Sequence, residues 1–182
     1  RPSPMVRPSD PELDALAEAL NGAGSVTIYA GYGAKDAREQ IVALADRLKA
    51  PVVHSSRAKE FLEPRNPFNV GMTGILGNRA GVEAMTDADI LLCLGTDFAW
   101  TQYYPEKKHV IQIDTDPTHL GRRAPVRLGL VGDVAATVEA VLPRLTARDD
   151  IRHLDAALTN WEKDQEGYAK GEQPHDNDPI HP

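Results

Sequence analysis

Glycines, hydroxyls and carboxylates recur in this sequence immediately after runs of aliphatic residues. Gly31-Tyr32-Gly33 follows Val26–Ala30, and Gly71-Met72-Thr73-Gly74-Ile75-Leu76-Gly77 forms a second glycine-rich segment. Gly95-Thr96-Asp97-Phe98-Ala99-Trp100 follows the run ending at Leu94. Asp114-Thr115-Asp116-Pro117 follows Ile111-Gln112-Ile113, and Gly132-Asp133 closes Arg127–Val131. Glycines let a backbone approach a pyrophosphate, whose charge is favoured at a helix N-terminus. Thr73, flanked by glycines, offers amide donors and a hydroxyl. A carboxylate at a strand end, such as Asp114, can accept two hydrogen bonds from the hydroxyls of a ribose. The chemistry these residues point to is the holding of an extended nucleotide.

Each segment also has a plainer reading. Gly31-Tyr32-Gly33 departs from the dinucleotide fingerprint, because Arg38 stands where a third glycine or alanine is sought and no acidic residue ends the second strand. It reads equally as a tight strand-to-helix turn. The 71–77 segment reads as a surface loop, and Phe98 and Trp100 as packing. Asp116-Pro117 has the form of a helix cap with proline in the first turn. Asp133 is placed either as a cap or beside an adenine edge or hydroxyl.

The elements that must position these groups alternate along the chain. Ser9-Asp10-Pro11-Glu12 is a capping box opening a helix with Leu13, Leu16, Ala17 and Leu20 on one face, stopped by Asn21-Gly22. The strand Val26–Ala30 is predicted next, followed from the glycine turn by a helix with Ile41, Val42, Leu44, Ala45 and Leu48 on one side. Pro51–His54 reads as a strand, and 55–76 as a long loop. A helix Ala80–Thr86 precedes a strand Asp89–Leu94. Strands Val110–Asp114 and Arg127–Val131 follow, then a helix Val134–Leu145. A polar helix at about 151–170 has a thin apolar face. Strands this apolar are covered on both sides. The alternation gives an α/β fold: a doubly wound, Rossmann-like, mainly parallel sheet of five or six strands with helices on both faces. Ligands of such sheets lie at the carboxyl ends of the strands, where the glycines, threonines and aspartates cluster.

Composition bounds the remaining possibilities. The 182 residues suffice for one domain with a sizeable core, and 41% are hydrophobic. A net charge of −7 disfavours nucleic acid as a partner. The short cluster Lys107-Lys108-His109 reads as a solvated turn. No stretch is long and apolar enough to span a membrane. The single cysteine, Cys93, lies in an apolar run and reads as a core residue, and one cysteine forms no internal disulfide. The six histidines are scattered without metal-ligand spacing. The proline-containing residues 1–8 and the polar residues 171–182 read as linkers, which gives 9–146 as a nucleotide-binding domain, 147–170 as the polar helix, and the whole as a segment of a longer chain.

With these motifs in place, the sequence resembles the central FAD-binding domain of thiamine-diphosphate-dependent pyruvate oxidase and pyruvate dehydrogenase (quinone). The resemblance rests on Pro51-Val52-Val53-His54, Arg57-Ala58-Lys59-Glu60, Asn66-Pro67-Phe68, Val70–Gly74, Ala88-Asp89, Leu94–Phe98, Tyr104-Pro105, Ile111–Asp114 and Leu130–Asp133, and runs from about Leu13 to Leu145. Ile180-His181-Pro182 resembles the entry into a C-terminal thiamine-diphosphate domain.

The resemblance implies FAD in an extended pose. Thr73, Gly74, Ile75 and Leu76 would meet the flavin end and nearby phosphate. Thr96, Asp97, Phe98, Ala99 and Trp100 would line the middle, and Gly31 and Gly33 the pyrophosphate. Asp114 would hold the adenosine ribose and Asp133 would sit near the adenine. Arg57 and Lys59 would face phosphate or flavin. The family commonly has glycine before that lysine, where this chain has Ala58, so a backbone needing positive φ would weaken those contacts.

For the whole enzyme the resemblance implies thiamine diphosphate and Mg2+, bound by N- and C-terminal domains not in this sequence. Pyruvate would be decarboxylated oxidatively, with electrons passing through FAD to quinone or oxygen. The parent would be a homo-oligomer, cytoplasmic or peripheral at the inner membrane face. The Gly-Asp-Gly magnesium motif and the activating glutamate's domain are not in this segment, so no catalytic residue is expected here. Two alternatives stand beside this: a non-oxidative relative of the acetolactate synthase type, with structural FAD or an ADP-type ligand, and an assembly module with an empty cleft.

Overall fold

A computed structural model describes residues 5–105 and 109–171. Residues 1–4 of the expected linker 1–8 and residues 172–182 of the expected linker 171–182, with the Ile180-His181-Pro182 motif, Lys107 and Lys108, lie outside the described residues.

The described residues build one sheet of six parallel strands. In chain order these are β1 (Val26–Ala30), β2 (Val52–His54), β3 (Asn69–Met72), β4 (Ile90–Leu94), β5 (His109–Asp114) and β6 (Leu128–Val131). Their spatial order is β3-β2-β1-β4-β5-β6, the doubly wound arrangement expected from the alternation. Val26 to Ala30 pair in register with Ile90 to Leu94, so the two central strands end level.

Side chains alternate across the sheet. Ile28, Ala30, Leu92, Leu94, Ile111 and Ile113 face one layer, formed by α1 (Asp10–Gly22), α2 (Arg38–Leu48) and α5 (Val134–Val141). Tyr29, Val53, Leu91, Cys93 and Val110 face the other, covered by α4 (Arg79–Asp87) and α6 (Arg152–Gly171). Leu13, Leu16 and Leu20 of α1 are fully buried, each stabilising the fold by about 1.5–3 kcal/mol relative to exposure. Ser9 and Glu12 form the expected capping box. Cys93 is buried as expected, and burial pushes its thiol up to about 12, which keeps it unreactive.

Three local expectations need correction. The 55–76 stretch is not one loop: it holds a 3₁₀ turn at Ser56–Ala58, the short helix α3 (Lys59–Leu62) and the edge strand β3. Asn69-Val70-Gly71-Met72 lacks a β-branched run, and it extends because β2 offers it a ladder. The helix after β1 does not start at the glycine turn. A 3₁₀ turn at Tyr32–Ala34 intervenes and α2 begins only after Ala37, so its N-terminus is displaced from Gly31. Finally, α5 ends at Val141, and Leu142–Arg144 tightens into a 3₁₀ turn around Pro143.

The polar helix α6 is anchored rather than loose. Ala157, Leu158 and Trp161 pack into the second layer. Asp164 accepts from Ala80 N at 2.8 Å and from Asn78 Nδ2 at 3.1 Å, placing a negative charge at the N-terminus of α4.

Candidate nucleotide cleft

At the switch point between β1 and β4 the chain leaves the sheet in opposite directions, and a cleft of about 530 Å³ opens there. A larger hollow of about 830 Å³ lies at the amino ends of the strands, beside Gly22–Gly24, Asp89 and His109. That edge is the wrong one for ligand binding in an open α/β sheet, and the smaller cleft is the candidate site.

The floor of the cleft is two crossing turns. Gly31 N donates to Leu94 O and Gly33 N to Gly95 O, both at 2.9 Å. A Cβ on Gly31 would stand 2.5 Å from Gly95 O. The two glycines therefore line the cleft but spend their amides inside the protein, which makes them shapers of the site rather than phosphate donors.

One wall comes from the loop after β2. Arg57 lies 4.3 Å from the centre of the Tyr32 ring, and Lys35 lies 5.7 Å from the same ring. Among the described residues no carboxylate pairs with Arg57, so its guanidinium is held at the cleft by stacking with its charge uncompensated. Ala58 has φ −96°, an ordinary value, so the alanine in place of the family's glycine imposes no strain. Lys59 turns away and pairs with Glu63 at 3.7 Å.

The opposite wall combines the ends of β4 and β5. Asp114 is buried, with Oδ1 accepting from Asp116 N at 2.9 Å and Oδ2 3.2 Å from His119 Nδ1. Asp116 caps the following 3₁₀ turn by accepting from Thr118 N, as the sequence suggested. Asp97 is engaged by two arginines, Arg122 and Arg123, with Arg123 Nε 3.1 Å from Oδ1. Burial alone would raise the Asp97 carboxyl, but the two guanidiniums outweigh it and hold the group below the usual carboxylate range. Gln112 ties the same loops together, donating to Thr96 O and accepting from Gly121 N.

Deep in the cleft lie hydroxyls without good partners. Thr73 Oγ1 is buried and has no hydrogen-bond partner among the described residues. The Tyr29 hydroxyl is buried beside Thr96 with no well-formed bond, and burial pushes its phenol up, so it stays a neutral donor. Buried polar groups are normally satisfied, so orphans at a cleft point to a bound polar group.

Of the residues singled out in the sequence, Gly31, Gly33, Arg57, Thr73, Thr96 through Trp100 and Asp114 meet at this one cleft. Gly74 stands at its rim, where a Cβ would touch Trp100. Ile75, Leu76 and Asp133 are not in its lining. Ile75 and Leu76 are 65% and 78% exposed, on the segment that abuts Trp100. Asp133 caps α5 by accepting from Ala136 N, while its own N–H donates to Val6 O. Sequence reasoning missed Ser55, Ser56 and His119, which line the cleft because turns deliver them there.

Residues 13–141 match the family described as thiamine pyrophosphate enzyme, central domain. The chain belongs to that family. It is 48% identical over 164 residues to an uncharacterized 42.6 kDa protein in the isoamylase 3' region of Pseudomonas amyloderamosa, covering 90% of this chain and 41% of the relative. It is 33% identical over 167 residues to the putative thiamine pyrophosphate-containing protein YdaP of Bacillus subtilis, covering 88% and 29%. Pyruvate oxidase of Lactiplantibacillus plantarum is more distant, at 27% identity over 157 residues, covering 83% and 26%. Sulfoacetaldehyde acetyltransferase of Rhodobacter capsulatus, at 33%, is more similar than that oxidase. The chain thus spans less than half the length of these curated relatives. No helix among the described residues is long and apolar enough to cross a membrane.

Proposed function

We propose that the cleft binds the adenosine-diphosphate portion of a nucleotide cofactor, with FAD as the cofactor. The observation that carries this reading is the meeting of an acceptor, a cation and an orphan hydroxyl in one groove. Asp114 offers a carboxylate to ribose hydroxyls, Arg57 a guanidinium that no carboxylate pairs with among the described residues, and Thr73 a hydroxyl with no hydrogen-bond partner among them. The volume, about 530 Å³, lies in the range of small-molecule sites. Trp100, Ile75 and Leu76 expose apolar surface next to the cleft, which suits a flat ring system better than open water does. When bound, FAD supplies two-electron redox chemistry, and this chain's part is to hold and orient it.

In the whole protein, thiamine diphosphate and Mg2+ would be held by the other domains of the chain. On this reading the enzyme decarboxylates pyruvate oxidatively and passes electrons through FAD to quinone or oxygen. It would work as a homo-oligomer, in the cytoplasm or peripherally at the inner membrane face.

A second reading is supported by the greater similarity to an acetyltransferase than to an oxidase. There the cleft holds structural FAD or an ADP-type ligand and the parent reaction is non-oxidative. Titrating the chain with FAD and with ADP separates the cases. A perturbed flavin absorbance band, lost in Asp114→Ala, supports FAD. Binding of ADP with no response to FAD supports the second reading. Binding of neither leaves an assembly module and ends both. Anaerobic reduction of the parent's flavin by pyruvate then tests the oxidative reaction.

A further inference from the structure

Both ring nitrogens of His119 face carboxylates of the cleft. Nδ1 lies 3.2 Å from Asp114 Oδ2, and Nε2 lies 3.6 Å from Asp116 Oδ2. Nδ1 is buried without a regular hydrogen bond. Asp114 Oδ1 is already committed to Asp116 N, so Oδ2 is the oxygen left for a ligand. We propose that His119 is a positioning residue that sets whether Asp114 is open to ribose hydroxyls. This inference rests on the nucleotide reading of the cleft.

The argument is one of competition for a single acceptor. An imidazolium has two N–H donors and no acceptor, so it bridges Asp114 and Asp116 and occupies Oδ2. A neutral imidazole keeps one donor and binds the carboxylates less strongly, so a diol displaces it from Oδ2 more easily. Arg122 faces Asp114 and Asp116, but its guanidinium is tied to Asp97, as is that of Arg123. The remaining cleft cation, Arg57, enters from the loop after β2. The ring sits half-buried on a turn outside the sheet, so its substitution leaves the core intact.

The test compares ADP with 2',3'-dideoxy-ADP by calorimetry on the chain, at about pH 8 and about pH 5.5, the interval in which histidine is the side-chain type able to change its charge. The dideoxy nucleotide carries the same phosphates, so their protonation cancels in the affinity ratio. The preference for ADP is expected to fall roughly tenfold on acidification, the size of one hydrogen bond to a charged acceptor. In His119→Gln the preference is expected to stay constant with pH. A preference in the wild-type chain that is constant with pH, or that grows in acid, overturns the role of His119 while leaving the cleft reading intact. A pH response that persists unchanged in His119→Gln overturns it in the same way. Failure of both nucleotides and of FAD to bind at either pH sinks the cleft reading, and this inference with it.

Discussion

Gly33 donates its N–H to Gly95 O at 2.9 Å, and a Cβ on Gly95 would stand 2.5 Å from Gly33 C. The two strand ends on either side of the switch point are therefore in backbone contact. Gly95 also has φ +56°, a conformation side chains disfavour. Gly95→Ala combines strain with a collision against backbone that cannot swing aside. It is expected to destabilise the fold by about 2–4 kcal/mol. A shift of the urea midpoint without a change in slope is the measurement, and an unchanged midpoint would show that the two turns are not packed as described.

Much of this site was legible because strand ends are legible. Val26–Ala30 and Ile90–Leu94 are apolar runs of unmistakable strand character, so the residues just beyond them had to emerge at one edge of a parallel sheet. Asp114 was found on the same logic. His119 was not, because it reaches Asp114 through the 3₁₀ turn at Pro117–His119, which brings the ring back over the strand end. The engagement of Asp97 by Arg122 and Arg123 was hidden for a similar reason: it joins loops 25 residues apart, and local sequence says nothing about which loops meet. β3 escaped notice because Asn69 and Gly71 are poor strand formers, and its place is set by β2 and by Asn78, whose amide accepts from Met72 N and donates to Val70 O. The apolar face of α6 makes sense only once β3 and α4 are there to be covered.

Asp164 joins α6 to that patch. Removing its carboxylate by Asp164→Ala leaves Ala80 N without a partner and takes a negative charge from the start of α4. A loss of about 1–3 kcal/mol is expected, with Asp164→Asn less harmful because it retains an acceptor. Amide exchange of α4 reads the effect directly: protection at its first turn should fall in the alanine variant, and equal protection in all three proteins would contradict the anchoring role.

Asp97 should make the fold acid-sensitive. A carboxyl held below its unfolded value contributes stability that is complete above roughly pH 4 and disappears as pH falls through the folded value. Asp97→Asn removes that dependence. The wild-type chain should lose more stability than the variant between about pH 5 and about pH 2.5, as followed by denaturant midpoints across that range. Parallel curves for the two proteins would mean that Arg122 and Arg123 do not favour the ionised form.

Thr73 separates stability from ligand binding. Its hydroxyl is buried without a hydrogen bond, so in the free chain it costs desolvation and returns little. Thr73→Val replaces the hydroxyl by a methyl of similar shape and should leave stability unchanged or raise it by about 1 kcal/mol. A bound nucleotide that satisfies the hydroxyl loses that contact in the variant, and its affinity should fall roughly tenfold. Opposite movement of the unfolding midpoint and the nucleotide affinity is the signature of a group kept for its ligand. A variant that is less stable and binds equally well would place Thr73 among the packing residues and remove it from the site.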